Sequence, residues 1–476
     1  MRNKPFLTLL LLLLTTLSWA ERREVHILAV NDMHASVDAM PKLAAIADSL
    51  RALYPSLLIL SAGDNRTGDP VSDMYKPSGY PMVALMNQIG FDASAIGNHE
   101  FDVNSLPALC PLSTFPYLCA NITADDSTGI RALPYKLFDV DGVKLAVIGV
   151  VQIGANGMPD AHPNCLRGMR FESPLEAVRR YEWLHDKCDA TILLSHAGYQ
   201  DDIKIAGECP WLDLIVGGHT HRQLSENEPL HNGVLITQNR NLLSQCTHII
   251  LTVDSGRVVS KQTDYMNVRS RKQQNAVVAA MVRNYNSNPY FKQVLTQAET
   301  PFQTRNEIGT MVCDALCSET GADIAIMNYR GIRVRSHKAG NITVGDALEI
   351  DPFGNNAVLA SMTGAELERF IVDYGRMNVY HFPHLSGISA DLLVDKDDPS
   401  NILKVTLRGA DGKPLNKKKT YVVVTNTYVT AKGGKYVPTD TRVLERTTSD
   451  IVMAYLQKQK TVSYQGKGSL HYIRTK

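Results

Sequence analysis

The stretch SAIGNHEFD, residues 94–102, joins a short apolar strand to a polar loop, and it guides the interpretation of the first half of the chain. Asn98 and His99 come directly after the strand, and Asp102 follows three residues later. Asparagine and histidine both bind metals, and histidine also serves in acid–base or electrostatic catalysis. The loop therefore holds either two ligands of one ion or two neighbours with different roles.

The same arrangement recurs after four other apolar runs, each of which ends in residues that bind hard or borderline metals. Carboxyl ends of strands in an open α/β sheet lie at one edge, which is where such folds place their sites. The other nine histidines of the chain show no such placement. The seven candidate ligands at the five strand ends are Asp32, His34, Asp64, Asn98, His196, His219 and His221.

This donor set consists of oxygen and imidazole groups without thiolate, which suits Zn, Mn or Fe in a catalytic role. Seven donors are too many for one tetrahedral ion but suit two ions that share a bridging carboxylate. Two divalent ions about 3.5–4 Å apart clamp a phosphoryl group and activate water for attack. The sequence therefore predicts two divalent metal ions and hydrolysis of a phosphate ester or anhydride.

Short apolar runs and helix-like segments alternate through the first part of the chain, which predicts an α/β domain with a largely parallel, buried core sheet. Glycines 63, 97, 217 and 218 allow sharp turns into the loops that follow the strands. The predicted strands lie at 25–30, 57–60, 93–96, 145–151, 191–194, 213–216 and 234–237, and the predicted helices at 41–54, 79–90 and 173–187.

A chain of 476 residues is too long for one compact core, so two domains are expected. We assign residues 21–267 to the first domain and 268–300, which are polar and helix-prone, to a linker helix. Residues 301–476 show their own alternation of helices and strands and form a second α/β domain.

Residues 1–20 resemble a secretory signal, with a basic start, an apolar run and a small-residue cleavage site near Ala20. We therefore expect a periplasmic or secreted protein, and no later segment is apolar enough to span a membrane. Cleavage after Ala20 would remove Arg2 and Lys4, so the mature chain would have 47 basic and 48 acidic residues, a formal charge of −1. A chain that is not basic is not expected to bind a nucleic-acid polymer. The eight cysteines permit disulfides but show no pairing, and nothing indicates an oligomeric state.

The motifs DMH, GDNRTGDP, GNHEFD, SHAG and GGHTH resemble the five blocks of the calcineurin-like metallophosphoesterases. The whole chain resembles the exported 5′-nucleotidase family, which includes the bifunctional UDP-sugar hydrolase/5′-nucleotidases. The resemblance implies an N-terminal four-layer sandwich, with central β-sheets flanked by helices, and a second α/β domain for substrate specificity. It places Asp32, His34 and His221 on one metal, Asn98, His196 and His219 on the other, Asp64 between them, and His99 with Asp102 outside the coordination sphere.

In the second domain, the resemblance implies substrate contacts at Asn328 and Arg333, within MNYRGIR, and base stacking by Phe353, within DPFGN. Two departures alter the expected pocket. In NTYVTAKGGKY, Lys435 stands where the family has a ribose-binding aspartate, and Tyr428 lies beside the aromatic position. Arg305 matches the arginine-containing block of the family only loosely. We include Arg305, Tyr428 and Lys435 among the predicted substrate-binding residues.

The donor set and the resemblance together predict an exported dimetal phosphohydrolase that removes phosphate from nucleotides by attack of metal-activated water, with UDP-sugar hydrolysis as a further candidate activity. An alternative is a 2′,3′-cyclic-nucleotide phosphodiesterase/3′-nucleotidase, since the same metal centre can open a cyclic phosphodiester. A third alternative, from a different class, is a non-catalytic protein that binds nucleotides or metals.

Overall fold

The computed structural model describes residues 22–226, 228–377, 381–398, 401–432, 436–438 and 440–474. The predicted signal segment, residues 1–20, and Lys435 lie outside these described residues. Among the described helices, none combines the length and the apolar character that crossing a membrane requires. All eight cysteines are free thiols.

Two β-sheets pack face to face at the centre of the first domain. Their facing apolar side chains, among them Ile27, Leu60, Val147 and Ile192, form one fully buried core. The larger sheet contains, in spatial order, Arg257–Asn267, Gln245–Asp254, Arg23–Val30, Leu58–Ser61, Ala93–Ala95, Tyr117–Leu118 and Ala132–Leu133. The smaller sheet contains Leu235–Thr237, Leu214–Gly217, Ala190–His196, Val143–Val151 and Tyr135–Val140, and a separate pair joins Ile122–Ala124 to Met169–Phe171.

Helices cover the outer face of each sheet and give the domain four layers. On one side, Leu43 and Ile46 pack with Leu85 under the larger sheet; on the other, Val178 and Ile205 pack under the smaller sheet. The α-helices are Met40–Leu53, Pro70–Asp73, Tyr80–Ile89, Leu106–Leu109, Pro174–Arg179 and Tyr199–Glu208. Short 3-10 helices lie at Val37–Ala39, Asn98–Asn104, Cys110–Leu112, Asp126–Thr128, Pro163–Leu166 and Glu182–Leu184.

The segment predicted as a linker contains one α-helix, Ala276–Tyr285, and a 3-10 helix, Pro289–Lys292. Val278 and Val282 of the α-helix belong to the core of the first domain, because they pack beside the helices under the larger sheet. The first strand of the second domain, Val294–Ala298, follows directly.

The second domain is a separate α/β body with two apolar cores. Its described strands form three sheets. The five-stranded sheet contains, in spatial order, His384–Ser386, Ile324–Met327, Thr420–Asn426, Asn356–Thr363 and Thr441–Thr447. One three-stranded sheet contains Gly340–Thr343, Val294–Ala298 and Thr461–Val462, and the other contains Ile402–Gly409, Ile388–Val394 and Leu470–Arg474. Its helices are Arg305–Thr320, Tyr329–Gly331, Val344–Ile350, Gly364–Met377, Thr427–Lys432 and Thr448–Lys458.

The predicted fold class, a four-layer α/β sandwich followed by a second α/β domain, is confirmed. All seven predicted strands of the first domain form within two residues of their expected bounds. The third predicted helix is shorter than expected, since it ends at Arg179 and only a 3-10 turn follows. The chain leaves the helix after Arg179, and the ring of Tyr181 packs 5.5 Å from that of Tyr135.

Candidate metal centre

The seven predicted ligands converge at one end of the sandwich, where strands of both sheets finish. The strands Arg23–Val30, Leu58–Ser61 and Ala93–Ala95 run parallel, as do Ala190–His196 and Leu214–Gly217, so their carboxyl ends meet. Groups of side chains able to hold an ion are Asp32 with His34 and His221, His34 with Asp64 and His99, and Asp32 with Asp64 and His196.

The backbone of this cluster is held in an uncommon conformation. Five of the seven predicted ligands, none of them glycine, have positive φ angles between 45° and 70°. Such conformations cost free energy and cluster at functional sites, where the surrounding structure enforces them. The five residues are Asp32, His34, Asp64, His219 and His221.

Two glycines allow the loops to approach each other. A Cβ atom on Gly97 would lie 2.2 Å from Oδ1 of Asp64, although the φ of Gly97 is an ordinary −93°. Gly63 has φ +89°, and a Cβ there would lie 2.6 Å from the nitrogen of Gly97. Gly97 is therefore required for space, and Gly63 for both space and conformation.

Around Asp32, side-chain atoms converge from two loops. Nε2 of His221 lies 3.3 Å from Oδ1 of Asp32 and 3.0 Å from Nε2 of His34. Asn31 donates from Nδ2 to the other carboxylate oxygen of Asp32 at 2.7 Å and orients it. Asp32, His34 and His221 thus bring one ligand atom each close enough together to hold a shared cation.

Around Asp64, the second group forms. Nε2 of His196 lies 3.1 Å from Oδ2 of Asp64, and Nδ1 of His219 lies 3.0 Å from Oδ1 of Asn98. Nδ1 of His196 donates to the carbonyl of Ala62 at 2.7 Å, an outer contact that directs Nε2 into the cluster. That Nε2 atom is buried and, although Oδ2 of Asp64 is close, makes no hydrogen bond of suitable geometry within the described residues. An atom in this setting fits a metal ligand.

The electrostatics favour an ionised Asp64 and neutral imidazoles at His34 and His219. At His196, burial opposes the charged form, but the carboxylates of Asp64 and Asp32 outweigh it and raise its pKa to about 10. Burial opposes the charged form of Asp64, but the imidazoles of His196 and His99 outweigh it and hold the pKa of this carboxyl well below its usual range. Burial lowers the pKa of His219 to about 4, and His196 acts in the same direction. Burial also lowers the pKa of His34, and the guanidinium of Arg333 adds to it. An ionised Asp64 and neutral His34 and His219 are the states that metal ligands need, and a bound metal would take the place of the proton on His196.

His99 and Asp102 form a pair beside the cluster. Nδ1 of His99 donates to Oδ2 of Asp102 at 2.7 Å, while Nε2 lies 3.9 Å from Oδ2 of Asp64. Burial opposes protonation of His99, but the carboxylates of Asp64 and Asp102 raise its pKa above the usual value. The backbone N–H of His99 donates to Oδ1 of Asp64 at 2.8 Å. Asp102 thus holds Nδ1 of His99, and the imidazole lines the cavity beside the cluster.

A cavity of about 330 Å³ beside this cluster is lined by residues of both domains. Asn328, Arg333, Phe353 and Tyr428 line it, together with Asp64, Asn98, His99, Asp102, His219 and His221. Arg333 reaches across the domain boundary, with Nη2 3.3 Å from Nδ1 of His34. The ring of Phe353 stacks on that of His99, with centroids 5.8 Å apart.

The other predicted substrate residues lie elsewhere. Arg305 is not among the described residues that line the cavity, and its guanidinium lies 4.9 Å from the ring centre of Tyr329. Lys435 is outside the described residues. Val429, at the aromatic position of the family block, is buried in a core of the second domain, while Tyr428 faces the cavity.

Sequence reasoning missed two carboxylate residues that shape the site. Glu100 is buried and accepts hydrogen bonds from the backbone N–H groups of Asp64, Asn65 and Gly97 at 2.7–2.9 Å. It therefore holds two ligand-bearing loops together. Its place beside His99, in a loop that follows a buried strand, was the available signal. Asp160, the second residue, lies in a loop without a sequence signal.

Comparison with known proteins agrees with this geometry. The family model for the calcineurin-like phosphoesterases matches residues 25–223, and that for the 5′-nucleotidase C-terminal domain matches residues 283–440. Protein UshA of Yersinia enterocolitica is 28% identical, over 90% of this chain and 88% of its own length. The 5′-nucleotidase of Diplobatis ommata is 24% identical, over 94% of this chain and 90% of its own.

Among solved structures, a 5′-nucleotidase precursor from Thermus thermophilus has the same fold, with a TM-score of 0.82. It is 23% identical, and the match covers 95% of this chain and 99% of that one. The two family models together span both domains, and the donor cluster lies within the first. The chain therefore belongs to the 5′-nucleotidase family of the calcineurin-like metallophosphoesterases and is a metal-dependent phosphoric ester hydrolase.

Proposed function

We propose that this protein hydrolyses phosphate esters of nucleotides, as a 5′-nucleotidase, with UDP-sugars as a second substrate class. The observation that carries the proposal is the cavity between the two domains, which is lined by members of the donor cluster and by Phe353 and Arg333 of the second domain. Its volume falls at the lower end of the range for small-molecule sites, about 300–1,000 Å³.

The residues divide into three roles in this proposal. The seven predicted ligands hold two divalent ions such as Zn or Mn, which activate water and neutralise phosphoryl charge when bound. His99, oriented by Asp102, stabilises charge that develops on the phosphoryl or leaving-group oxygens. Arg333 attracts the phosphate, since its guanidinium presents donors suited to phosphate oxygens.

The second domain supplies recognition of the nucleoside. Phe353 offers an aromatic face at the cavity wall, and stacking of a base on such a ring contributes about 1–3 kcal/mol. Asn328 is buried and accepts a hydrogen bond from Asn426 at 3.0 Å, so its side chain is fixed at the cavity wall. The relative from Diplobatis ommata is named a 5′-nucleotidase, which supports a substrate of this class.

A phosphate-release screen tests the proposal. The purified chain, reconstituted with Mn²⁺ or Zn²⁺, is offered AMP, UDP-glucose and 2′,3′-cyclic AMP, and kcat/KM is compared. Preference for AMP supports a 5′-nucleotidase, and cleavage of UDP-glucose supports the second substrate class. Preference for the cyclic nucleotide would assign the chain to the phosphodiesterase alternative, and a chain inert toward all three would contradict a nucleotide substrate.

We also propose that the chain is exported, because residues 1–20 have the charge and apolar pattern of a secretory signal. Cell fractionation and N-terminal sequencing test this. Export predicts a mature N-terminus at Glu21 in the periplasmic or secreted fraction, and a full-length chain in the cytoplasm would contradict it.

A further inference from the structure

The orientation of Asn98 in the donor cluster depends on one backbone carbonyl. An amide side chain has two ends, of which only the oxygen can bind a cation. Oδ1 of Asn98 lies 3.0 Å from Nδ1 of His219, while Nδ2 donates to the carbonyl of Asp160 at 3.2 Å. Reversing the amide would place its oxygen against that carbonyl, so Asp160 selects the orientation in which oxygen faces the cluster.

Asp160 is itself anchored to the first domain. Its backbone N–H donates to Oε1 of Gln152 at 3.0 Å. Gln152 follows the strand Val143–Val151 directly, and its N–H donates to the carbonyl of His196 at 3.0 Å. Gln152 therefore connects the loop that carries Asp160 to His196, a predicted ligand at the end of a neighbouring strand.

The second domain holds the same loop through two hydrogen bonds. The hydroxyl of Tyr428 donates to Oδ1 of Asp160, and Nζ of Lys432 donates to the carbonyl of Pro159 at 2.8 Å. Tyr428 and Lys432 both belong to the helix Thr427–Lys432. A continuous series of contacts thus leads from this helix through Asp160 to Asn98.

We propose that Tyr428 and Asp160 are positioning residues of the metal centre. Tyr428 holds the carboxylate of Asp160, and the carbonyl of Asp160 orients Asn98, so docking of the second domain completes the donor set. The hydroxyl of Tyr428 is committed to Asp160 and acts on the cluster through it. The inference rests on the proposed assignment of Asn98 as a metal ligand. Outer contacts of this kind typically affect metal affinity by about 10–100-fold.

Metal titration of four variants without substrate tests the inference. Tyr428→Phe removes only the hydroxyl, and Asp160→Ala removes the carboxylate that accepts a hydrogen bond from this hydroxyl. Gln152→Leu removes the acceptor of the Asp160 backbone N–H and leaves the contacts of the second domain in place. We expect each to weaken one of two Mn²⁺ sites by about 10–100-fold. Tyr455→Phe is the matched control, because its hydroxyl meets that of Tyr464, 3.2 Å away, within the second domain. It should bind both ions as the wild type does.

The double variant Tyr428→Phe/Asp160→Ala should bind Mn²⁺ no more weakly than Asp160→Ala alone, because both changes break one series of contacts. Unchanged metal affinity in Tyr428→Phe, with a raised KM for AMP, would make Tyr428 a substrate contact and overturn the inference. A wild-type chain that binds two ions and hydrolyses AMP separates that failure from failure of the proposed function. A wild-type chain that binds no metal would overturn both.

Discussion

His99→Ala tests the division of labour between neighbouring residues in the loop after the strand Ala93–Ala95. The substitution removes an imidazole whose Nδ1 is held by Asp102 at 2.7 Å and whose Nε2 lies 3.9 Å from Oδ2 of Asp64. That second distance is too long for a hydrogen bond, so Nε2 is available to a substrate oxygen beside the cluster. We expect kcat to fall while both metal ions remain bound.

The size of the expected loss follows from the role. A positioned group that transfers a proton or stabilises charge in the transition state contributes typically about 10²–10⁴-fold. At 1.36 kcal/mol for each tenfold change, this corresponds to about 2.7–5.4 kcal/mol of barrier. Asp102→Asn should cause a smaller loss, because the imidazole stays in place with a weaker acceptor.

The assay pairs metal analysis with steady-state kinetics. Metal content per chain is measured by mass spectrometry of the purified variant, and kcat is measured with AMP and with an aryl phosphate. A smaller loss with the aryl phosphate would place His99 at the leaving-group oxygen, because that oxygen needs less stabilisation there. His99 also lies within reach of His34 and Asp64 in a group able to hold an ion. Loss of one ion in His99→Ala would therefore refute the reasoning.

Three further predictions concern the metal site, base recognition and stability. Asn98→Ala should lower the affinity for one metal ion by more than the factor of about 10–100 expected for a residue that only orients a ligand. Chelator competition measures this affinity, and an unchanged value would show that Asn98 is not a ligand. Phe353→Ala should raise KM for AMP about 5- to 150-fold, the equivalent of 1–3 kcal/mol, and leave KM for glycerol 2-phosphate unchanged; equal effects would exclude base stacking. Burial raises the pKa of Asp202 to about 8, despite a hydrogen bond from Ser195, so folded chains bind its proton more tightly than unfolded ones. Stability should therefore fall from about pH 4 to pH 8, and Asp202→Asn should flatten this part of the Tm profile; an unchanged profile would contradict a buried neutral Asp202.

The members of the donor cluster could be predicted from the sequence because each follows directly after an apolar strand. Parallel strands of alternating α/β units end at one edge, so Asp32, Asp64 and His196 were expected to lie near one another. The order of the strands does not predict which side chains of the second domain line the cavity. Whether an aromatic ring such as Phe353 faces the cavity or a core depends on how the second domain docks.

The contacts that orient the ligands were beyond sequence reasoning for a different reason. Glu100 accepts three backbone N–H groups only because two loops curve around it. Asp160 reaches Asn98 through a backbone carbonyl, a group that every residue has. Tyr428 was predicted as a substrate contact from its place in a motif, yet its hydroxyl is directed at Asp160. Such contacts are set by loop conformation, which residue types at fixed spacing do not encode.

Metal stoichiometry measured together with activity tests the central claim most directly. The wild-type chain is stripped with a chelator, reconstituted with Mn²⁺ or Zn²⁺, and assayed for bound metal per chain and for phosphate release from AMP. The account predicts two ions per chain, activity that is lost with the metal, and recovery when it is restored. Phosphate release that persists in the metal-free chain, or a reconstituted chain with two ions and no hydrolysis, would contradict it.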